Sequence, residues 1–106
     1  MGLFDGWKMP DIGQGVEEFR ATPGAVLLDV RSRQEFQKGH IPGSRNVPLS
    51  SLGEAAGLAE DKETPLFVYC YSGARSGPAV HVLRRMGYAN VKNIGGIAAW
   101  TGEVER

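Results

Sequence analysis

The feature that most constrains the fold is an apolar run that ends in a cysteine and a glycine-containing loop. The run from Pro65 to Tyr69 leads into Cys70, and residues 71–76 (Tyr-Ser-Gly-Ala-Arg-Ser) precede a helical pattern. Continuous apolar runs of this length are typical of parallel strands that are covered on both faces. The order therefore predicts a buried strand, a tight loop and a helix whose amino-terminal end lies behind Cys70.

The rest of the chain repeats this alternation of strand and helix. A second apolar run covers residues 25–30, and short strands are predicted near Asn46 and Val47 and around Val91. Helical spacing or helix-start signals predict four helices: one around Ile12, Val16 and Phe19, one from Ser32 to near Gly39, one within Ser50 to Ala59, and one after the cysteine loop that ends at Gly87. The alternation predicts an α/β layered fold.

The length of the chain limits the number of domains, and its net charge limits the kinds of partner that it can attract. A chain of 106 residues fits one compact domain. We assign residues 1–10 to an amino-terminal arm and residues 11–106 to a single domain. Twelve basic residues balance twelve acidic ones. No long-range field would draw such a chain to nucleic acid or to an anionic membrane, so any anion binding must be local.

The cysteine and histidine content argues against disulfides and metal sites. The chain has one cysteine and only two histidines, His40 and His81, so no internal disulfide and no zinc ligand set is expected. We expect no cofactor. The first ten residues lack both a basic leader and an apolar stretch of signal-peptide length, which leads us to expect a soluble, cytoplasmic protein without a membrane partner.

Cys70 is the candidate nucleophile. A thiol at a helix amino-terminus meets main-chain N–H groups and the positive end of the helix dipole, and both favour the thiolate. This requires amides that converge on a sulfur atom within reach of solvent. The alternative is that Cys70 is a small buried hydrophobe, the commoner role of a lone cysteine. Asp29 and Arg31 lie at the end of the other apolar run, and we expect them to form a structural ion pair or to brace loops near the site.

Several motifs occur in the order and at the spacing of rhodanese-like domains, a family that the chain resembles from about Ala25 to Thr101. The matching residues are Asp29-Val-Arg31, Glu35-Phe36, Gly39-His-Ile-Pro-Gly43 with Asn46 and Pro48, the segment from Cys70 to Ser76, and Gly95-Gly96 with Trp100. The resemblance implies a three-layer fold with a mainly parallel, five-stranded sheet flanked by helices. It also implies a sulfurtransferase that carries sulfane sulfur on Cys70 as a persulfide.

The resemblance further implies how the loop would work. Family members that act on sulfur have four residues between the cysteine and the position of Arg75, as here, whereas phosphate-hydrolysing relatives have five and a wider loop. The implied anion-binding residues are Tyr71, Ser72, Gly73, Ala74, Arg75 and Ser76, with main-chain N–H groups around the sulfur and charge from Arg75. The chain departs from the pattern at Tyr71, where many thiosulfate-preferring relatives carry Arg or Lys.

The implied partners are a small sulfur-containing anion as donor and a thiol or cyanide as acceptor, with a protein acceptor left open. Two other functions remain as alternatives. One is a non-catalytic, regulatory module that binds a partner, against which the retained Cys70 and Arg75 count. The other is a phosphatase or arsenate reductase, against which the short loop argues.

Overall fold

The computed structural model describes residues 10–55, 57–59 and 61–106. The arm assigned to residues 1–10 lies outside this part of the chain, except for Pro10. The strands are β1 (Val26–Asp29), β2 (Ser44–Asn46), β3 (Leu66–Cys70) and β4 (Val91–Gly96). The helices are α1 (Ile12–Ala21), α2 (Arg33–Lys38), α3 (Leu49–Leu52) and α4 (Ser76–Arg85), followed by a short helical turn, Ile97–Ala99.

The described strands form one parallel sheet in the order β2-β1-β3-β4. The expectation of a parallel sheet flanked by helices is confirmed, but the expected five strands are wrong, because the sheet in the described residues has four. A carboxyl-terminal residue, Glu105, makes only an isolated antiparallel bridge with His40 and adds no further strand to this sheet.

Two apolar layers cover the two faces of the sheet. Alternate residues of β3 divide between them: Leu66, Val68 and Cys70 pack in the cluster that includes α4, while Phe67 and Tyr69 pack in the cluster that includes α1. All five residues of β3 are buried. A strand covered on both faces explains why its sequence is continuously apolar rather than alternating.

The helix signals in the sequence predict some helix boundaries correctly and others not. The capping box at the start of α2 is confirmed, since the Ser32 side chain accepts from the Glu35 N–H and the Glu35 side chain accepts from the Ser32 N–H. Gly87 follows α4 with a φ of 105°, as expected for the residue that ends a helix. The third helix is shorter than predicted and begins one residue earlier, covering only Leu49–Leu52. No described helix is long and apolar enough to cross a membrane.

Candidate active site

The candidate site lies where two adjacent parallel strands end. Asp29 is the last residue of β1 and Cys70 is the last residue of β3. All of β1 pairs with β3, with Asp29 opposite Tyr69, the residue before Cys70. The carboxyl ends of parallel strands are where ligands bind in open α/β sheets. The fold therefore brings together the two polar clusters that the sequence analysis singled out.

The loop after Cys70 turns its main-chain N–H groups onto the sulfur. Gly73 N–H donates to Cys70 Sγ with an N···S distance of 3.0 Å, and Arg75 and Ser76 N–H each donate at 3.3 Å. Among the described residues, no bond joins this sulfur to the amides of Tyr71, Ser72 or Ala74. Half of the six amides implied by the resemblance thus contact the sulfur, and the others form the rest of the loop.

The sulfur also caps α4. The helix has no side-chain hydrogen bond from its N-cap residue, Arg75. The N–H groups of Arg75 and Ser76 would otherwise have no acceptor inside the helix, and both donate to Cys70 Sγ. Because those donors and the helix dipole present partial positive charge, the arrangement is more favourable for a thiolate than for a thiol.

The net effect on the thiol is a lowered pKa. Burial of Cys70 raises its pKa, but the hydrogen bond between Cys70 and the Ser76 hydroxyl and those from the N–H groups of Ser76, Arg75 and Gly73 lower it by more in total. The opposing effects have clear physical origins, since burial disfavours the charged form and each donor stabilises it. The described site can therefore hold an ionised sulfur.

Access to the sulfur differs from the expectation. Cys70 is 0% exposed, whereas a reactive thiolate is predicted to have a sulfur that solvent reaches. The sulfur nevertheless lies directly beneath the loop, where Tyr71 is 55% exposed and Ser72 and Ala74 are also exposed. An open cleft of about 520 Å³ adjoins the same loop, lined in part by Tyr71, Ser72, Gly73 and Ala74. The loop that donates to the sulfur thus also forms part of the wall of this cleft.

Two glycines allow the loop to curl so tightly. Gly73 has a φ of 99°, in the region that side chains other than glycine rarely adopt. Gly96, at the end of β4, lets the chain pass close to the loop, since a Cβ there would overlap the carbonyl oxygen of Tyr71 and lie 2.6 Å from the Cα of Ser72. The backbone of β4 therefore supports the loop from behind.

We expect Gly96→Ala to destabilise the protein by about 1–3 kcal/mol, the usual cost of forcing extra atoms into a packed region. The clash is with backbone, which cannot rotate away as a flexible side chain can. Urea unfolding would measure the change. Gly77→Ala is the matched control, because nothing lies within 4 Å of a Cβ at this position of α4. Alanine there should be neutral or stabilising by up to about 1 kcal/mol, and equal unfolding curves for the two variants would contradict the assignment.

The charge of Arg75 has a carboxylate partner. Its Nη1 and Nη2 atoms donate to the two oxygens of Glu35 at 2.7 and 2.8 Å, across 40 residues of sequence. The pair raises the pKa of Arg75, and the hydrogen bond from Arg75 is the main cause that lowers the pKa of Glu35 to about 2. Arg75 is predicted to meet a bound anion, and in the structure its guanidinium pairs with Glu35.

Asp29 and Arg31 form a buried pair beside this loop. The Arg31 Nη2 donates to Asp29 Oδ2 at 2.6 Å and to the carbonyl oxygen of Gly39 at 2.7 Å. Arg31 N–H also donates to Asp29 Oδ1 at 2.9 Å. The pair joins the end of β1 to the end of α2, which is a bracing arrangement rather than a contact with Cys70.

Asn93 is a site residue that sequence reasoning missed. The Ser76 hydroxyl donates to Asn93 Oδ1 at 2.7 Å and lies 3.5 Å from Cys70 Sγ. It accepts from the protonated thiol, and by turning away from Asn93 it can donate to the thiolate. Asn93 Oδ1 also accepts from Gly95 N–H at 3.0 Å. These hydrogen bonds connect β4 to the sulfur. Asn93 lies within a predicted strand, and nothing in the sequence indicates that it reaches the site. Ser76, by contrast, directly follows Arg75, and this position predicts a hydroxyl near the thiol.

We expect Ser76→Ala to raise the pH midpoint of Cys70 ionisation and to lower the thiolate fraction at neutral pH by roughly threefold to tenfold, because a hydrogen bond to an ion is lost. Ultraviolet absorbance of the thiolate against pH would measure it. A lowered folded-state pKa adds stability that is fully present above the unfolded value of about 9 and is lost as the pH falls through the folded pKa. This stability increment should shrink in the variant, and an unchanged midpoint would remove Ser76 from the site.

Comparison with known proteins places these features in context. A family model described as the rhodanese-like domain matches residues 14–103. An uncharacterised Bacillus subtilis protein, YqhL, is 42% identical over 92 residues, which cover 84% of this chain and 71% of that protein. The thiosulfate sulfurtransferase PspE of Escherichia coli is 39% identical over 71 residues, or 66% of this chain and 68% of that protein.

A solved structure extends the likeness to three dimensions. The human single-domain sulfurtransferase superposes with a TM-score of 0.75 at 29% sequence identity. The superposition covers 88% of this chain and 96% of that one. The likeness in three dimensions thus spans most of this chain.

Proposed function

Because this chain belongs to the rhodanese-like domain family, we propose that it is a sulfurtransferase that moves sulfane sulfur from thiosulfate or a similar donor to a thiophilic acceptor through a persulfide on Cys70. The observation that carries this proposal is the set of three main-chain N–H groups, from Gly73, Arg75 and Ser76, that donate to one sulfur atom. Relatives named as thiosulfate sulfurtransferases support the same reaction class.

The proposed reaction has two half-reactions. In the first, the Cys70 thiolate attacks the outer sulfur of thiosulfate, the bond between the two thiosulfate sulfurs breaks, and its electron pair leaves with sulfite. Cys70 then carries a persulfide. In the second, an acceptor such as cyanide or a thiolate attacks the outer persulfide sulfur, and the electron pair returns to Cys70. This is covalent catalysis in which the thiolate is the attacking form, so the proposed steps use no general base.

The loop can stabilise charge in both half-reactions. The amides of Gly73, Arg75 and Ser76 are held by the backbone, so they need little reorganisation when charge moves onto a sulfur atom. A depressed pKa contributes less, since nucleophilicity falls as the thiolate becomes more stable. Positioning of the donor must supply much of the rate. Since Cys70 has no exposed surface, a local movement around the sulfur must admit the donor's outer sulfur.

Mass spectrometry of the intact protein tests the proposal directly. After incubation with thiosulfate, Cys70 should gain one sulfur atom, and the gain should disappear on treatment with cyanide. An aryl phosphate, tested in parallel, should not be hydrolysed, because a loop with four residues between Cys70 and Arg75 is small for a tetrahedral phosphate. Hydrolysis of the phosphate without any sulfur gain would favour the phosphatase alternative. Neither reaction would favour the binding module.

A further inference from the structure

The cationic character of the loop is confined to one side chain. Arg75 is the only charged residue in residues 71–76, and Tyr71 directly after the cysteine is neutral. Both guanidinium N–H contacts to Glu35 are short, 2.7 and 2.8 Å, and they engage both carboxylate oxygens. A bidentate pair of this kind fixes the geometry as well as the charge of the guanidinium.

Glu35 is itself held in place from α2. Its Oε1 atom accepts the N–H of Ser32 at 2.9 Å, as part of the capping box, while also accepting from Arg75. The side chains of Glu35 and Arg75 are 33% and 41% exposed. The carboxylate is therefore a fixed negative charge on the rim of the site rather than a mobile surface group.

The formal charges of the Cys70, Glu35 and Arg75 side chains therefore sum to a negative value when Cys70 is ionised. An ionised Cys70 and Glu35 carry two negative charges, and Arg75 carries one positive charge. The neighbouring Asp29 and Arg31 are paired with each other. Repulsion between like charges scales with the product of the charges, so a dianion such as thiosulfate meets about twice the opposition that a monoanion meets.

We propose that Glu35 is a specificity-determining residue, which by pairing Arg75 from α2 disfavours dianionic sulfane donors relative to monoanionic ones. The inference rests on the proposed sulfurtransferase function and deepens it. A dianionic donor must compete with the Glu35 carboxylate for Arg75. A monoanionic donor has less charge to neutralise, so it forgoes less binding energy when the Glu35 to Arg75 pair stays intact. The donors favoured by this site are persulfides or thiosulfonates with a single negative charge.

Two donors of matched chemistry separate this effect from loop positioning. Thiosulfate is a dianion that releases sulfite, and benzenethiosulfonate is a monoanion that releases benzenesulfinate. In both cases Cys70 forms a bond to the outer sulfur while the S–S bond of the donor breaks with its electron pair on the leaving group. The products are the same persulfide and a sulfur oxyanion, and no outside oxidant or reductant is needed.

The test is Glu35→Gln, which removes the charge but keeps a side chain that completes a capping box as well as Glu does. The ratio of kcat/KM for thiosulfate to kcat/KM for benzenethiosulfonate should rise by about three- to fivefold, the upper range for an exposed ion pair. Glu63→Gln is the matched control, since this exposed carboxylate lies before the amino-terminal end of β3, at the end of the strand opposite Cys70. Its ratio should stay at the wild-type value.

Ionic strength supplies a second readout that a purely structural role would not move. Added salt should leave the wild-type kcat/KM for thiosulfate unchanged or increase it, because salt screens a net repulsion. In Glu35→Gln, where Arg75 is free to attract the dianion, added salt should decrease kcat/KM for thiosulfate. If the ratio of the two kcat/KM values does not change in Glu35→Gln, or if kcat/KM falls equally for both donors, this inference alone is overturned. Failure of both donors to add sulfur to wild-type Cys70 would overturn the proposed function, and this inference with it.

Discussion

Replacement of Cys70 by serine should reduce sulfur transfer from thiosulfate to cyanide by at least about a thousandfold, since the residue that carries the persulfide is lost. Serine keeps a small side chain in the buried position at the end of β3, so the fold should survive. A hydroxyl at this position cannot ionise near neutral pH and does not form a stable bond to sulfane sulfur. Thiocyanate formation by the purified variant would measure the loss.

The matched control is His81→Ala. His81 lies exposed on α4. We assign it no part in the reaction, because the proposed attack by the thiolate uses no general base. This variant should transfer sulfur at the wild-type rate. Substantial residual transfer by Cys70→Ser, with its unfolding curve intact, would show that another group carries the sulfur. Loss of transfer in His81→Ala would instead call for a base in the mechanism.

The second large effect concerns stability. We expect Asp29→Asn to lower the free energy of unfolding by about 3–5 kcal/mol, because it leaves the buried Arg31 without its counter-ion. The Asp29 side chain is 0% exposed and that of Arg31 is 6% exposed. Three side-chain contacts from Arg31 reach the two carboxylate oxygens, and an amide can replace only part of them. Such a loss is a large share of the stability of a small domain.

Urea unfolding followed by circular dichroism would measure this change. Glu18→Gln is the control, since Glu18 pairs with Lys92 at 2.6 Å on the surface, where the two side chains are 41% and 55% exposed. An exposed pair contributes at most about 1 kcal/mol. A similar loss in the two variants would show that burial does not set the importance of the Asp29 to Arg31 pair.

The sequence was most informative where chemistry is local. The strand, loop and helix around Cys70 are adjacent in the chain, and each has its own signal: a continuous apolar run, glycine in the loop, and helical spacing after it. The capping box joins residues three apart, Ser32 and Glu35, and is present as expected. Glycine at position 87 ends α4 for the same kind of local reason, a left-handed backbone that other residues avoid.

The sequence was least informative where distant residues meet. The Glu35 to Arg75 pair spans 40 residues and the Ser76 to Asn93 bond spans 17, and both depend on how α2 and β4 are placed around the loop. The strand count was wrong for a related reason, because the pairing of the described strands into a sheet of four is decided by long-range contacts. Burial of Cys70 likewise depends on how the loop folds over it.

The most direct test of the account follows the outer sulfur through two separated steps. The protein is incubated with thiosulfate labelled at its outer sulfur, freed of the donor, and only then mixed with cyanide. We predict one labelled sulfur per chain on Cys70 after the first step, and its complete release as labelled thiocyanate in the second. Protein that retains no label, yet forms thiocyanate when donor and cyanide are present together, would contradict a persulfide on Cys70.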